Sequence, residues 1–132
     1  MLYEIKLTRT PKNGESTDTK EHFILDAELH SDAETQGFEL YPDHQVDVTS
    51  VFRSDIKEII NDIERDDDHF YKGTVCDVTV DENGKEKTVK YKMLVAATSV
   101  AEATDRLNTH LRQGYDMRLD EVKRTKINGW LR

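Results

Sequence analysis

Residues 91–111 read YKMLVAATSVAEATDRLNTHL, and this stretch decides the fold class. Its first part, residues 91–97, is apolar enough for a strand that returns from a hairpin. Ser99 stands where a helix N-cap is expected, and Leu107 and Leu111 lie four residues apart on one helical face. The sequence therefore predicts a strand that leads directly into a helix.

Further strands are predicted on both sides of this pair. Phe70 and Tyr71 open a strand, and the following DENG at residues 81–84 is typical of a hairpin turn. Gly114 stops the helix, after which Met117 begins another strand. The second half of the chain is thus predicted to have the order strand, strand, helix, strand.

The first half has the same order of elements about seventy residues earlier. Its elements are a strand at 3–7, a turn at 11–14, a strand at 20–27, a short helix capped by Ser31 or Asp32 and ended by Pro42, and a strand at 45–53. The matched positions are Tyr3 with Tyr71, Asn13-Gly14 with Asn83-Gly84, Leu25-Asp26-Ala27 with Val95-Ala96-Ala97, Ala33 with Ala103, Val51 with Val122, Arg53 with Arg124, and Ile56 with Ile127. A shared order and a shared turn dipeptide predict an internal duplication.

We therefore predict an α+β fold of two tandem ββαβ repeats, residues 1–64 and 65–132, in one compact pseudo-twofold unit. Each repeat alone is too small for a secure core, so a common, mainly antiparallel sheet of about six strands is expected, with two helices on one face. The first helix should be the shorter and weaker one, because Gly37 stands where the second helix has Leu107.

Two connecting segments complete the predicted architecture. Four isoleucines at positions 56, 59, 60 and 63 have the spacing of one helical face, and Ser54 is placed to cap it. This pattern predicts a linker helix within the first repeat. The corresponding segment at the end, Ile127 to Leu131, is expected to form only a turn.

Composition and charge narrow the classes of function. The 132 residues have a formal net charge of −8, with −9 on residues 1–66 and +1 on residues 67–132. So acidic a chain argues against general binding to duplex nucleic acid, which depends on Lys and Arg at the phosphates. The sequence has no secretory signal, no apolar run of membrane-spanning length and one cysteine, Cys76, so a cytoplasmic, reducing environment is expected. A homo-oligomer is compatible with these data.

Residues that could carry chemistry do not form a recognisable active site. The acidic cluster contains Asp62, Glu64, Asp66, Asp67, Asp68 and His69. Carboxylates with an imidazole can hold a divalent cation, but the glycine-bearing calcium loop is missing, so a solvated linker is favoured over a weak metal site. The five histidines lack paired catalytic motifs, and Cys76 lies within a predicted strand. We predict no enzyme activity, no catalytic residues, no metal and no cofactor.

Basic and aromatic residues of the second half are a candidate ligand patch. They are Arg118, Lys123, Arg124 and Lys126, with Tyr91 and Tyr115 interspersed. Arginines beside aromatic rings suit a nucleotide-like anion, although lysines on an edge hairpin are also a common defence against aggregation. The solvated edge is the favoured interpretation, and the ligand patch is its alternative.

The strand-to-helix signature also carries a family resemblance. It consists of residues 66–72 with Phe70-Tyr71, NGKEK at 83–87, LVAA at 94–97 and AEA at 101–103, matched in the first half by ILDA at 24–27 and DAE at 32–34. The chain resembles a duplicated domain family of unknown function found in Bacteroides-type gut bacteria and their phages and mobile elements. That resemblance implies a phage or mobile-element origin and transfers no catalytic residue.

The leading functional hypothesis is a non-enzymatic interaction protein, such as a host-takeover or anti-defence inhibitor. Its acidic half would imitate nucleic-acid charge toward a basic partner protein, through Glu28, Asp32, Glu34 and Glu39. The alternatives are a sponge for a small anionic ligand such as a nucleotide, and a phage structural or accessory protein. No membrane partner is expected.

Overall fold

The computed structural model describes residues 1–12, 17–113 and 117–132. Over these residues the chain forms eight strands and two helices. In order they are β1 (Leu2–Pro11), β2 (Thr19–Asp26), α1 (His30–Glu39), β3 (His44–Arg53), β4 (Ile56–Ile59), β5 (His69–Val80), β6 (Glu86–Ala97), α2 (Val100–Leu111), β7 (Arg118–Arg124) and β8 (Gly129–Leu131). The predicted α+β class is confirmed. The predicted turn residues Asn13, Gly14 and Gly114 lie outside the described residues.

The first compact unit comprises Met1–Ser54 and Lys126–Arg132. Its sheet has the order β3-β1-β2-β8, in which β1 is antiparallel to β2 and β3, and β8 is parallel to β2. Alternate residues of β1 are buried against α1, because successive side chains of a strand point to opposite faces. Tyr3, Ile5 and Leu7 thus pack with Ala33 of α1.

The second unit, Asp55–Thr125, has the strand order β4-β6-β5-β7. Here β5 is antiparallel to β6 and β7, and β4 is parallel to β6. Tyr71, Val75 and Val95 pack against Ala103 and Leu107 of α2. As predicted, Ser99 caps α2, and its side chain accepts a hydrogen bond from the Glu102 backbone N–H. The hairpin turn before β6 is also confirmed, with Gly84 at a φ of 76°.

The predicted common sheet of about six strands with two helices on one face is wrong. The described residues form two four-stranded sheets, and each sheet packs against its own helix. The physical reason is that two short segments, β4 and β8, add as parallel edge strands to β6 and β2. Each unit therefore completes a separate sheet.

The predicted linker helix is also wrong, because residues 56–59 form β4. Ile56 is buried, and the segment pairs with residues 92–94 of β6. Asn61 continues the pairing with its side chain, which donates to the Ala96 carbonyl at 3.1 Å and accepts from the Ala96 N–H at 2.9 Å. Isoleucine favours a strand when an unpaired sheet edge lies within reach.

Two smaller predictions need the same kind of correction. The final segment forms β8 instead of only a turn, because Gly129–Leu131 pairs with Phe23–Leu25. Helix α1 is not capped by Ser31 or Asp32; its N-cap is Leu29, which has no side-chain cap hydrogen bond. With ten residues against twelve in α2, α1 is the shorter helix, as predicted.

Each helix approaches its sheet at a glycine, but the glycine is on a different element in each unit. In the first unit a β-carbon on Gly37 of α1 would lie 3.1 Å from both Ile5 Cδ1 and Val48 Cγ2. In the second unit a β-carbon on Gly73 of β5 would lie 2.7 Å from Leu107 Cδ1. The missing side chain on one element thus makes room for the bulky side chain on the other.

Candidate functional site

A groove of about 540 Å³ lies in the first unit. Its lining residues are Lys6, Leu7, Thr8, Lys20, Glu21, His22, Thr49, Lys126 and Asn128. Lys6 and Thr8 alternate along β1 with the residues that contact α1, so they lie on the sheet face away from that helix. Lys20 and His22 pair with Thr8 and Lys6 and share this face. The groove is therefore built on the polar side of the β1–β2 hairpin.

Three lysines line this groove, and strand register brings two of them together. Lys6 is opposite His22 and Thr8 is opposite Lys20, so Lys6 and Lys20 are diagonal neighbours, about 7–8 Å apart at their backbones. The chain end is tied to the same place, because the His22 N–H donates to Asn128 Oδ1 at 2.8 Å and the Asn128 N–H donates to the His22 carbonyl at 2.6 Å. Lys126, two residues before Asn128, lines the same groove as Lys6 and Lys20.

The three ammonium groups are not neutralised by nearby carboxylates. Within the part of the chain that the structure describes, neither Lys6, Lys20 nor Lys126 lies within ion-pair distance of an Asp or Glu. The Glu21 carboxylate, at the groove's border, instead accepts a hydrogen bond from the Arg9 guanidinium. The groove is therefore locally positive inside a strongly acidic half.

Phe52 and Glu4 lie at one end of this sheet face. Phe52 is 37% exposed; the Lys6 ammonium lies 5.8 Å from its ring centroid, and the His22 ring lies 6.3 Å from it. Glu4 is only 5% exposed, and its carboxylate contacts His22 Nε2 at 2.9 Å and accepts from the Ser54 hydroxyl at 2.7 Å. These contacts fix the orientation of the imidazole next to the lysines.

The predicted ligand residues do not converge on one site. Register with β5 puts Arg118 and Lys123 on the face of β7 away from α2, whereas Arg124 is on the α2 face. Tyr91 is also on the α2 face, and Lys126 belongs to the first unit. The sixth residue, Tyr115, lies outside the described residues. Among these candidates only Lys126 lines the groove of the first unit.

The predicted ligand residues of the second unit have local partners. Arg118 and Lys123 lie 4.0 and 3.5 Å from the carboxylates of Asp120 and Glu121. Arg124 contacts His69 Nδ1 at 3.1 Å. Tyr91 lies beneath the Lys57 ammonium, 4.1 Å from its ring centroid, and lines a smaller groove of about 360 Å³. The other lining residues of that groove are Lys57, Glu58, Met93 and Met117.

The predicted partner-binding residues lie on one exposed stretch of the first unit. Glu28 precedes α1, and Asp32, Glu34 and Glu39 are on it; all four are exposed. Two large apolar side chains are exposed in the same stretch, Leu29 at 60% and Phe38 at 47%. We call residues 28–39 the acidic helix surface. It combines carboxylates with exposed apolar side chains.

The acidic cluster at residues 62–69 has a structural role. Asp68 is buried, and its Oδ2 accepts from the backbone N–H groups of Glu64 and Arg65 at 3.0 Å each, while its Oδ1 accepts from Arg65 Nε at 3.0 Å. Arg65 also pairs with Glu102 of α2. Within the described ranges, no group of three or more His, Cys, Asp and Glu side chains is arranged to hold a metal ion.

These contacts shift the pKa of two carboxyl groups. Burial acts to raise the pKa of Asp68, but the backbone donors of Arg65 and Glu64 and the Arg65 guanidinium outweigh it and bring the pKa below its ordinary value of 3.8. The hydrogen bond from Arg65 lowers the pKa of Glu102 below its ordinary value of 4.5, against an opposing effect of burial. Both carboxylates therefore stabilise the folded state in their ionised forms.

Replacing Asp68 with asparagine should lower the melting temperature at pH 6 by about 5 °C. The folded pKa of Asp68 is depressed, so its contribution is complete above the ordinary value and is lost as pH falls through the folded pKa. The difference between wild type and Asp68→Asn should therefore narrow below pH 4, as measured by thermal melts in a pH series. Asp67→Asn, at an exposed neighbour, is the matched control and should follow wild type. A difference that stays constant down to pH 2 would contradict this assignment.

The histidines and the cysteine are held in separate local contacts. His30 Nε2 lies 2.9 Å from the Val51 carbonyl, His44 contacts Arg9, and His110 lies 3.1 Å from Glu58. Cys76 is buried in β5. These side chains are distributed over different elements of the two units. They do not form a nucleophile and base pair in the part of the chain that is described.

Sequence reasoning missed Lys6, Lys20 and His22 as groove residues. The alternation of Lys6 with Thr8 and of Lys20 with His22 on a predicted hairpin was the available signal. No local pattern connects Lys126 to Lys20, because the β2–β8 pairing joins residues 106 positions apart.

Comparisons with known proteins give one result. A family model described as Domain of unknown function (DUF4494) matches residues 1–131. Curated proteins and solved structures gave no match. Within the described residues, no helix has both the length and the apolar character needed to cross a bilayer.

Proposed function

We propose that the chain, which belongs to the DUF4494 family, a domain of unknown function, is a non-enzymatic binding protein of phage or mobile-element type. In this proposal the acidic helix surface docks onto a basic partner protein, and the interaction inhibits a host or defence factor. The observation that carries it is the exposure of Leu29 and Phe38 among four carboxylates. Apolar anchors within a charged rim are the usual anatomy of a protein interface.

The charge distribution supports a basic partner. Between Lys20 and Arg53 the sequence contains eight Asp and Glu residues and no Lys or Arg. This segment includes α1 and both of its connections to the sheet. A field of one sign accelerates encounter with an oppositely charged surface and rejects acidic ones. The apolar side chains would then provide the short-range contact that holds the complex.

Charge reversal on the acidic helix surface should abolish capture of the partner. The variant combines Glu28→Lys, Asp32→Lys, Glu34→Lys and Glu39→Lys, all at exposed positions. Its matched control reverses Arg118, Lys123 and Arg124 to Glu in the second unit. Affinity capture from host extract, with quantitative mass spectrometry, compares both baits with wild type. We expect a protein that wild type and control retain and that the helix variant loses by tenfold or more.

Two further measurements sharpen this test. Phe38→Ser should weaken capture of the same protein without changing net charge, because it removes an apolar anchor. The association rate with the purified partner should fall steeply as salt shortens the Debye length below about 10 Å. The proposal is overturned if all baits retain the same proteins, or if the β7 control loses the partner and the helix variant does not.

We also infer that the two halves of the chain arose by duplication. The same element order, ββαββ, occurs twice, and the sheet order β3-β1-β2-β8 corresponds to β7-β5-β6-β4. The alignment of Tyr3 with Tyr71 pairs Ile5 with Gly73, and that of the helices pairs Gly37 with Leu107. At this shared contact between helix and sheet, the first half has a large residue on the strand, Ile5, and a small one on the helix, Gly37. The second half has the reverse, Gly73 on the strand and Leu107 on the helix, which supports a common origin with the sizes exchanged.

A further inference from the structure

We propose that the groove of the first unit binds a small ligand that carries phosphate groups. The ligand's anionic oxygens would contact the ammonium groups of Lys6, Lys20 and Lys126. This site is distinct from the acidic helix surface, since its lysines lie on the sheet face away from α1. It also differs from the patch predicted on β7, with which it shares only Lys126.

The position of the lysines favours a ligand site over protection of a sheet edge. Lysines that prevent aggregation are found on edge strands. Lys6 and Lys20 are instead on β1 and β2, which are the two interior strands in the order β3-β1-β2-β8. Placing like charges side by side on interior strands costs free energy unless an anion compensates them. A bound phosphate would remove that repulsion.

The neighbouring charges of the hairpin are arranged so that they do not neutralise the groove. Arg9 and Glu21 lie on the α1 face and pair with each other. Glu4 is held by His22 and Ser54. Within the described part of the chain none of the three ammonium groups is ion-paired with a carboxylate, and the Lys6 ammonium lies over the Phe52 ring. Ammonium groups are common phosphate ligands because they carry several hydrogen-bond donors.

Volume and shape indicate the size of the ligand. About 540 Å³ lies within the range typical of pockets for small molecules and cofactors. Phe52 and the His22 ring flank the Lys6 end, and a planar ring could stack on the exposed part of Phe52. Phosphate at the lysines and a ring at Phe52 together match a nucleoside phosphate. A ligand without a ring would use the lysines alone.

Isothermal titration calorimetry at low salt tests this proposal with four probes: ATP, tripolyphosphate, inorganic phosphate and adenosine. We expect ATP to bind and adenosine not to bind. The double variant Lys20→Gln/Lys126→Gln should weaken ATP binding by about tenfold or more, since it removes two charged donors. The control Lys85→Gln/Lys87→Gln makes the same charge change at exposed positions of the second unit and should stay within about twofold.

The probes also separate the two sources of phosphate. ATP binding at least tenfold tighter than tripolyphosphate, and weakened by Phe52→Ala, assigns a nucleotide; equal affinities assign a polyphosphate. In wild type, NMR shift changes should centre on His22 and Asn128. Circular dichroism checks that the variants are folded. The proposal is wrong if none of the three phosphates binds at millimolar concentration, or if the groove and control variants lose equal affinity.

Discussion

Replacing Gly73 with valine should lower the free energy of unfolding by about 3 kcal/mol. Gly73 is on β5, an interior strand of its sheet, and even its first added carbon would lie 2.7 Å from Leu107 Cδ1. Leu107 is fully buried among Tyr71, Val95 and Leu111, so its side chain has no free space to occupy. Valine therefore either displaces α2 from the sheet or forces the Leu107 side chain into a strained rotamer. Urea unfolding followed by far-ultraviolet circular dichroism measures the loss.

A double-mutant cycle distinguishes this clash from a general intolerance of β5. Leu107→Ala alone should also cost about 3 kcal/mol, because it leaves a cavity. In the double variant the valine fills part of that cavity, so the combined loss should be at least 1 kcal/mol smaller than the two losses together. Thr79→Val, at an exposed position of the same strand, is the control and should change stability by less than about 0.5 kcal/mol. Additive losses would contradict a direct contact.

The local patterns of the sequence were sufficient for the order of the elements. Alternation in residues 3–7 and the apolar run at 91–97 gave strands, and Ser99 marked the start of α2. These signals depend only on neighbouring residues and on burial of one face. They did not distinguish one sheet from two, because the number of sheets depends on the sheet edges with which the short strands β4 and β8 pair.

The isoleucines at 56–63 illustrate why the remaining elements could not be predicted. Their spacing fits one face of a helix, but four apolar residues in a short run also fit a buried strand. The decision is made by β6, whose edge offers unsatisfied backbone groups more than thirty residues away in the chain. The same limit applies to the groove. Lys126 was recognised as a candidate from the sequence. Placing Lys6 and Lys20 in the same groove requires the β1–β2 and β2–β8 pairings.

Deleting residues 126–132 should destabilise the first unit by about 4 kcal/mol, from the loss of several partly buried apolar side chains. The deletion removes β8, and with it Ile127, which is 6% exposed, and Leu131, which packs against the core of that unit. It also leaves β2 as an exposed sheet edge that has lost the pairing of Phe23–Leu25. Unfolding followed by circular dichroism and amide hydrogen exchange in β1 and β2 would measure the effect.

Removal of Arg132 alone is the control for this deletion, since it shortens the chain but retains β8. Its guanidinium lies over the Trp130 ring at 4.5 Å, and the removal should cost far less than the loss of the whole strand. A second variant tests the pairing without truncation: a β-carbon on Gly129 would lie 3.2 Å from Phe23 Cδ1, so Gly129→Val should push β8 away from β2. Trp130, the single tryptophan, reports that movement by its fluorescence.

If the seven-residue deletion unfolds at the same urea concentration as wild type, the parallel β2–β8 pairing contributes nothing to stability. The β2–β8 pairing would then not be what holds Lys126 at the groove of the β1–β2 hairpin.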